Sequence, residues 1–232
     1  MPLERGAMTR LDIWLVQHGY FTSRQMAKRA IKAGSIVVDG MSCKPSMQIK
    51  GTELVEVLDE YPDTPRGFKK LQAIDRLLNG SLIVEGGLAL DIGSSAGGFL
   101  SYLARKGMNS VGIEVSERFL VELEFLVKEN DNISLILADA FDIDPFTITE
   151  RGTVDLLLID VTTDPVGTLQ LAERFTPLLK SGGRILIAVK SAQSEEHIAE
   201  AESGIRSMGF EGIKSIILDE SRKEFHITAH RL

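Results

Sequence analysis

The sequence of 232 residues predicts an α/β fold, in which a doubly wound and mostly parallel sheet follows a small α+β module. From residue 88 onward, short apolar runs alternate with stretches of helical spacing. Charge separates the two parts: residues 1–58 carry 8 Lys and Arg against 5 Asp and Glu, whereas residues 59–232 carry 18 against 28. The first part is therefore basic by +3 and the second acidic by −10, which suggests that the first contacts a polyanion.

The N-terminal module is predicted to span residues 8–58. Two short helices, at 10–17 and 24–33, carry apolar residues at helical spacing, and basic residues lie off the apolar stripe of the second helix. Strands follow at 35–41, with a tight Asp-Gly turn, and at 54–58. Two helices followed by short strands indicate a small α+β domain.

Five short motifs in this module resemble the RNA-binding domain named after ribosomal protein S-four. They are Arg10-Leu11-Asp12, Thr22-Ser23-Arg24, the helical stretch 27–31, Ala33-Gly34, and the strand and turn at 36–40. In that family a basic helical face lies on RNA phosphates, which lysine and arginine bind without choosing a sequence. The resemblance therefore implies RNA contacts by a basic group made of Arg10, Arg24, Lys28, Arg29 and Lys32. For any one of them, the alternative is a solvated charge on a helix.

The second module is predicted to span residues 66–232, after a polar and proline-containing linker at 59–65. Its first helix starts with two adjacent lysines, an arrangement that the helix dipole disfavours and that hints at a function. A later helix at 166–179 is predicted to stop at the Ser-Gly-Gly sequence 181–183. Five strands and a final pair at the edge of the sheet are predicted at 88–91, 110–115, 133–138, 154–160, 184–189, 212–218 and 225–230.

The glycine-rich turn after the first of these strands has the spacing G-x-x-x-G-G, rather than the G-x-G-x-x-G of dinucleotide binders. With an acid at the strand end, it resembles motif I of the S-adenosylmethionine (AdoMet) methyltransferases, which have a Rossmann-like sheet. The resemblance implies AdoMet as the cofactor, with contacts from the turn residues Asp91, Gly93, Ser94, Gly97, Gly98 and Phe99. The alternative is an ordinary strand–turn–helix connection.

Two acids at later strand ends complete the predicted cofactor site. Glu114 lies 21 residues after Gly93, where a carboxylate can accept both hydrogen bonds of a ribose diol. Asp139 ends the third strand, where it could accept a bond from the adenine amino group, and its alternative role is a helix cap. AdoMet contains both a ribose and an adenine, so the two acids agree with the cofactor that motif I implies.

Four charged residues lie at predicted strand ends or at the start of the first helix: Lys70, Asp160, Lys190 and Glu224. Each taken alone would more often be a solvated structural charge. Their order resembles the Lys-Asp-Lys-Glu tetrad of the FtsJ-like ribose 2′-O-methyltransferases. Together with the basic first module, the arrangement resembles the TlyA-like (hemolysin A-like) rRNA methyltransferases. Lys69 competes with Lys70 for the first position, and the residues after Asp160 match neither family closely.

The resemblance implies methyl transfer from AdoMet to a ribose 2′-hydroxyl of structured RNA, with rRNA or a ribosomal subunit as the partner. Lys190 would be the base, Lys70 and Glu224 would orient the hydroxyl, and Asp160 would position Lys190. Burial at a strand tip lowers the pKa of a lysine and a nearby carboxylate raises it, so the sequence leaves the direction at Lys190 open. The oligomeric state is open as well.

Composition limits the other possibilities. No apolar run approaches 18 residues, so no membrane span is expected. The N-terminus lacks a signal pattern and Cys43 is the only cysteine, so a cytoplasmic location is expected. No cluster of Cys and His has the spacing of metal ligands, so no metal is expected.

Three alternatives stay open at this point. The first is an AdoMet enzyme that methylates an RNA base, which would not need two lysines around the acceptor. The second is a non-catalytic RNA-binding or membrane-active protein, although no basic amphipathic helix of useful length is present in the sequence. The third is a nucleotide-dependent oxidoreductase, which the spacing of the glycine turn disfavours.

Overall fold

A computed structural model of the chain describes residues 8–18, 20–21, 24–32, 34–57 and 66–232. The chain divides into two compact units, Met1–Thr64 and Pro65–Leu232. The linker predicted at 59–65 lies outside the described residues, as do Thr22, Ser23 and Ala33 of the predicted RNA-binding motifs. The domain boundaries at 8–58 and 66–232 stay a prediction.

The described residues of the first unit form two short helices and five short strands. In chain order they are β1 (Thr9–Arg10), α1 (Leu11–Gln17), α2 (Arg24–Lys32), β2 (Ile36–Val38), β3 (Met41–Ser42), β4 (Gln48–Ile49) and β5 (Val55–Val57). Strand β2 pairs antiparallel with β3 and β5, and β1 pairs with β4. The turn between β2 and β3 has positive φ at both Asp39 (51°) and Gly40 (74°), as a tight Asp-Gly hairpin requires. The two helices pack on the strands through an apolar core that includes Leu11, Leu15, Ala27, Ala30 and Ile36.

The second unit is a seven-stranded sheet with helices. Its elements are α3 (Arg66–Leu77), β6 (Leu88–Ile92), α4 (Gly98–Arg105), β7 (Asn109–Glu114), α5 (Leu120–Glu129), β8 (Ile133–Leu137), β9 (Val154–Ile159), α6 (Pro165–Phe175), β10 (Leu179–Val189), α7 (Glu195–Ser207), β11 (Phe210–Ile216) and β12 (Phe225–Arg231). The strand order is β11-β12-β10-β9-β6-β7-β8. Strands β6 to β10 pair in parallel, and β12 pairs antiparallel with both β10 and β11. The predicted α/β fold with a mostly parallel sheet is confirmed.

The order of the strands places a crevice between β6 and β9. After β6 the chain proceeds to β7 and β8 on one side, and after β9 it proceeds to β10 on the other side. Ligands of open parallel sheets bind beyond the carboxyl ends of the strands at such a switch point. Strand β9 is apolar on both faces, because Leu156 and Leu158 pack with α3 and α4 while Leu157 and Ile159 pack with α6. The residue that follows β9 is therefore held at a rigid edge.

The helix predicted at 166–179 is shorter than expected. Helix α6 ends at Phe175, a single 3-10 turn occupies Thr176–Leu178, and β10 already begins at Leu179. Pro177 explains the difference, because proline lacks the amide hydrogen that a continuing helix would need at this position. The Ser-Gly-Gly sequence at 181–183 does not stop a helix and lies instead at an irregularity in β10, where the pairing with β9 shifts register.

None of the helices in the described residues is both long and apolar enough to cross a membrane.

Candidate active site

Four charged side chains meet at the carboxyl edge of the sheet. Asp160 directly follows β9 and Lys190 directly follows β10. The antiparallel pairing of Val189 with Phe225 places Glu224, the residue before β12, beside Lys190. Lys70 reaches the same place from α3, which packs on this part of the sheet. The four residues that the sequence singles out are thus brought together.

The four groups form a closed ring in which cations and anions alternate. Lys70 Nζ lies 2.8 Å from Asp160 Oδ2 and 2.7 Å from Glu224 Oε1. Lys190 Nζ lies 2.6 Å from Asp160 Oδ1 and also contacts Glu224 Oε2. Each lysine therefore bridges both carboxylates, and each carboxylate bridges both lysines. All four side chains are only partly exposed, so bulk water screens these contacts weakly.

The ring shifts the pKa of its members. Burial raises the pKa of Asp160, but Lys70 and Lys190 outweigh it and hold that pKa below its ordinary value. Burial likewise raises the pKa of Glu224, yet the nearby His226 and the two lysines hold it well below its usual range. Burial lowers the pKa of Lys190, whereas Asp160 and Glu224 raise it, and the net result is a raised pKa. Lys190 is therefore an ammonium group at neutral pH, beside two ionised carboxylates.

The two adjacent lysines of α3 occupy different surroundings. Lys70 makes two of the four ion pairs of the ring, whereas Lys69 is exposed and has no ion pair with any described residue. Consecutive residues on a helix do not face the same direction. The geometry therefore puts Lys70 in the first position of the tetrad and leaves Lys69 beside it.

A cavity of about 300 Å³ lies at the carboxyl ends of β6 to β9 and includes Asp160 in its lining. Its size is at the lower end of the range for small-molecule sites. The lining comes from the ends of four neighbouring strands, from the residues after them, and from α6: Gly93, Ser95, Ile113, Glu114, Val115, Ala138, Asp139, Ala140, Phe141, Asp160, Val161, Thr162, Thr163 and Leu171. Asp160 therefore belongs both to this cavity and to the ring of charges.

Only part of the predicted cofactor set lines this cavity. Gly93, Glu114 and Asp139 do, whereas the lining does not include Asp91, Ser94, Gly97, Gly98 and Phe99. Gly97 has a positive φ of 76°, and a Cβ there would lie 2.6 Å from Leu126. Glycine is therefore required at position 97 by the backbone conformation of the turn and by the close packing against α5.

Gly98 and Phe99 face the first helix of the unit. A Cβ on Gly67 would lie 3.3 Å from the Gly98 Cα and 3.2 Å from the Phe99 ring, so α3 and α4 approach closely here. Phe99 is buried in the apolar cluster shared by these helices. The Ser94 hydroxyl donates a hydrogen bond of 3.0 Å to the Asp91 carbonyl and thereby fixes the start of the turn.

Three acids stand at successive strand ends. Asp91 is buried, and neither of its carboxyl oxygens has a hydrogen-bond partner among the described residues. Burial, with smaller contributions from Asp160 and Glu114, raises the pKa of Asp91 to about 7. Glu114 accepts hydrogen bonds from the backbone amides of Ser95 (2.7 Å) and Ser116 (2.8 Å).

The third acid, Asp139, caps a turn at 140–142 and not the helix of its alternative role, because no helix begins there. Its carboxylate accepts a hydrogen bond of 2.9 Å from the Phe141 amide, although Asp139 also lines the cavity. Several lining residues were missed from the sequence, above all Val115, Phe141 and the segment 161–163. Each of them follows an acid at a strand end. This position, rather than a sequence motif, could have predicted that they line the cavity.

A second group of charges lies in the first unit. The carboxylate of Asp12 is fully buried and binds three cations: Arg10 at 2.9 Å, Arg24 at 3.2 Å and Lys28 at 3.8 Å. Burial raises the pKa of Asp12, but Arg10 and Arg24 hold it below its ordinary value. Three members of the predicted basic group are therefore collected around one acid that the site prediction omitted. Lys32 is exposed at the end of α2, and the side chain of Arg29 is outside the described part of the chain.

No three His, Cys, Asp or Glu side chains of the described residues come together in a way that could hold a metal ion.

The sheet topology, the glycine turn after its central strand and the cavity lined by acids at strand ends define the class of AdoMet-dependent methyltransferases. The comparison with protein families gives the particular family: the model of the FtsJ-like methyltransferase matches residues 64–224. The chain therefore belongs to the FtsJ-like methyltransferase family. The model of the S4 domain, the RNA-binding domain named after ribosomal protein S-four, matches residues 9–55.

Relatives of known name agree with this assignment. Hemolysin A of Brachyspira hyodysenteriae is 32% identical over 114 residues, which are 48% of this chain and 47% of that protein. The 16S/23S rRNA (cytidine-2′-O)-methyltransferase TlyA of Mycobacterium tuberculosis is 35% identical over 101 residues, 42% of this chain and 37% of that protein. The chain thus spans less than half the length of these curated relatives. A solved structure of Aeropyrum pernix fibrillarin with bound AdoMet has a TM-score of 0.55 and 26% identity, covering 68% of this chain and 74% of that one. The predicted resemblance is confirmed at the level of the family and the two domains.

Proposed function

We propose that this chain transfers the methyl group of AdoMet to a ribose 2′-hydroxyl of structured RNA, and of rRNA in particular. The observation that carries the proposal is the closed ring of Lys70, Asp160, Lys190 and Glu224 beside the strand-end cavity. A sugar hydroxyl is a weak nucleophile that needs a proton acceptor and groups that orient it. Two lysines and two carboxylates at one point supply both.

The residues around the cavity fit AdoMet. The buried carboxyl oxygens of Asp91, which lies near the end of β6 but outside the cavity lining, lack partners within the described residues, and the proposal assigns them a ligand ammonium group. Each oxygen of Glu114 accepts one backbone amide and retains lone-pair capacity for a ribose hydroxyl. Asp139 stands at the third strand end, where the adenine contact is proposed. When bound, AdoMet supplies an electrophilic methyl group on a positively charged sulfur.

Lys190 is the proposed proton acceptor, and it can act as one only after its amine has lost its own proton. With both carboxylates ionised, the Lys190 pKa is raised, so the amine holds its proton before substrates bind. Asp160 also lines the cavity, so a positive charge held there shares the Asp160 carboxylate with Lys190. That sharing lowers the Lys190 pKa and favours the neutral amine, whose Nζ then takes the proton of the attacking hydroxyl.

The other members of the ring orient the reactants. Lys70 and Glu224 hold the hydroxyl and Lys190 in line with the methyl group, and Asp160 fixes Lys190 from the opposite side. Correct positioning of two reactants can supply most of the acceleration of such a transfer, because it replaces a rare collision.

The first unit is the proposed RNA-docking part. Buried Asp12 holds Arg10, Arg24 and Lys28 in one place, and such a fixed cluster suits phosphate oxygens. The match to the S4 domain and the name of the Mycobacterium tuberculosis relative support RNA, and rRNA among RNAs, as the substrate. A cytoplasmic location accords with this substrate and with the free thiol of Cys43.

One assay tests this function. The full chain is incubated with AdoMet labelled in its methyl group and with total cellular RNA, and the RNA is digested to nucleosides. Label in 2′-O-methyl nucleosides of rRNA is the expected result. Label in methylated bases would replace the proposal with the base methyltransferase, and absence of transfer with retained RNA binding would favour the non-catalytic RNA-binding protein.

A further inference from the structure

A second cavity, of about 280 Å³, lies next to the ring of charges in the second unit. It shares Lys70 and Glu224 with the ring, and its remaining polar lining includes Lys69, Asp219, Arg222 and His226. The lining of the proposed cofactor cavity includes none of these six residues. The ring therefore has a cavity on each side, and the proposed function uses only one of them.

Cations that the ring does not use surround this second cavity. Lys69 makes no ion pair with the described residues, although it stands directly beside Lys70. Arg222 contacts Asp219 only through Nε, at 3.2 Å, and its side chain is half exposed. The terminal nitrogens of Arg222 have no partner in the described part of the chain, so they are available to an anion. Lys69 and the terminal nitrogens of Arg222, at the edge of one cavity, favour an anionic ligand, while Asp219 binds only the Nε of Arg222.

His226 gives an independent indication of a polar ligand. Its side chain is almost fully buried, lines the cavity and has no hydrogen-bond partner for either ring nitrogen among the described residues. Nε2 lies 3.4 Å from Glu224 Oε1, the contact through which His226 lowers the Glu224 pKa, so only Nδ1 has neither a hydrogen bond nor an ion-pair contact among the described residues. Buried polar groups are normally satisfied, so an unpartnered Nδ1 on a ring at the wall of a cavity points to a ligand there.

We propose that this second cavity binds an RNA phosphodiester next to the target ribose, with Lys69 and Arg222 on its phosphate oxygens. This site rests on the proposed function. In RNA, the 2′-hydroxyl and the 3′-phosphate are attached to neighbouring carbons of one ribose, so a hydroxyl held at the ring has a phosphate close by. This assignment explains why two lysines stand at the start of α3, since Lys70 would contact the hydroxyl and Lys69 would contact the phosphate. Both lysines line the cavity, but Lys70 is already bound by the two carboxylates of the ring, which leaves Lys69 for the phosphate.

The test measures methylation of rRNA by the full chain at several salt concentrations. Lys69→Gln removes one phosphate contact, so kcat/KM should fall about tenfold, which is the loss expected for one charge-assisted hydrogen bond. The slope of log(kcat/KM) against log[salt] should become shallower by about 0.7. The rate at saturating RNA and the AdoMet affinity should stay unchanged, and Lys69→Arg should restore both kcat/KM and slope. Arg222→Gln should act in the same direction.

Lys128→Gln is the matched control, because Lys128 is an exposed lysine at the end of α5, away from both cavities. Equal behaviour of Lys69→Gln and Lys128→Gln, with an active wild type, would overturn the phosphate site alone. A loss of rate without a change of slope would overturn it too, since a structural defect acts equally at every salt concentration. A wild type that does not methylate RNA would overturn the proposed function and this site with it.

Discussion

Lys70 Nζ donates a hydrogen bond of 2.8 Å to Asp160 Oδ2, although 90 positions separate the two residues in the chain. Lys70 belongs to a helix that precedes the whole sheet, and Asp160 directly follows β9, a strand in the middle of that sheet. Their contact joins the first element of the second unit to the carboxyl edge where ligands of such sheets bind. It also leaves Asp160 Oδ1 for Lys190, so that one carboxylate orients both lysines.

The first prediction concerns Lys190. Lys190→Ala removes the proposed proton acceptor, so methyl transfer should fall by about 10²–10⁴-fold. AdoMet should bind as before, because Lys190 does not line the proposed cofactor cavity. Single-turnover transfer rates and calorimetric titration measure the two quantities. Lys180→Ala is the control, since Lys180 lies on the same strand and pairs with Asp155 instead. If the Lys190→Ala variant stays active, Lys190 is not the proton acceptor.

The second prediction is a pH dependence. The raised pKa of Lys190 keeps it protonated, so the transfer rate should rise with pH as the neutral amine becomes more populated. In Asp160→Asn a carboxylate that raises this pKa is lost, so the rising limb should move to lower pH even though the absolute rate falls. The measurement is kcat/KM against pH for both proteins. A limb that stays in place in the variant would show that Lys190 does not titrate in the reaction.

The third prediction concerns Asp91, whose pKa is raised by burial to about 7. A raised pKa means that the folded state favours the protonated form of Asp91. The stability that the folded protein gains from this form is fully present below the pKa of the unfolded chain, and it is lost as pH rises through about 7. Asp91→Asn has no such loss, and its melting temperature without ligand should exceed that of the wild type by more at pH 8 than at pH 5. Thermal unfolding at both values measures this difference. Equal differences at the two pH values would contradict the buried, unpaired carboxyl.

The fourth prediction concerns the cations around Asp12. Arg24→Gln combined with Lys28→Gln should weaken RNA binding and make its salt dependence shallower, by about 0.7 in slope for each phosphate contact that is lost. Lys44→Gln serves as the control, because Lys44 is exposed on a loop of the same unit. Binding titrations with rRNA at several salt concentrations give the slopes. If the double variant keeps the slope of the control, this cluster does not contact phosphates.

Much of this fold follows from periodicity. The apolar strands that end in Asp160 and Lys190 are recognisable because strands buried on both faces read as unbroken apolar runs. Since parallel strands share one carboxyl edge, the convergence of these charges could be predicted from the amino-acid sequence alone. The end of α6 could have been predicted as well, from Pro177, which limits a helix more strongly than the glycines after it.

Other features depend on contacts between distant residues and leave no local pattern. The choice between Lys69 and Lys70 is decided by the rotation of α3 against the sheet. The reason for glycine at position 97 is a left-handed backbone and the approach of Leu126, neither of which the spacing of glycines reveals. The central place of Asp12 among three cations likewise requires both helices of the first unit to be packed together.

The most direct test of the central claim, that the ring serves a ribose hydroxyl, changes a single atom of the substrate. Once the labelled nucleotide has been located, an RNA with 2′-deoxyribose at that position alone is compared with the all-ribose RNA. The account predicts equal binding of the two RNAs and methyl transfer only to the second. Continued transfer to the deoxy substrate at the same nucleotide would contradict it, because the acceptor would then be an atom of the base.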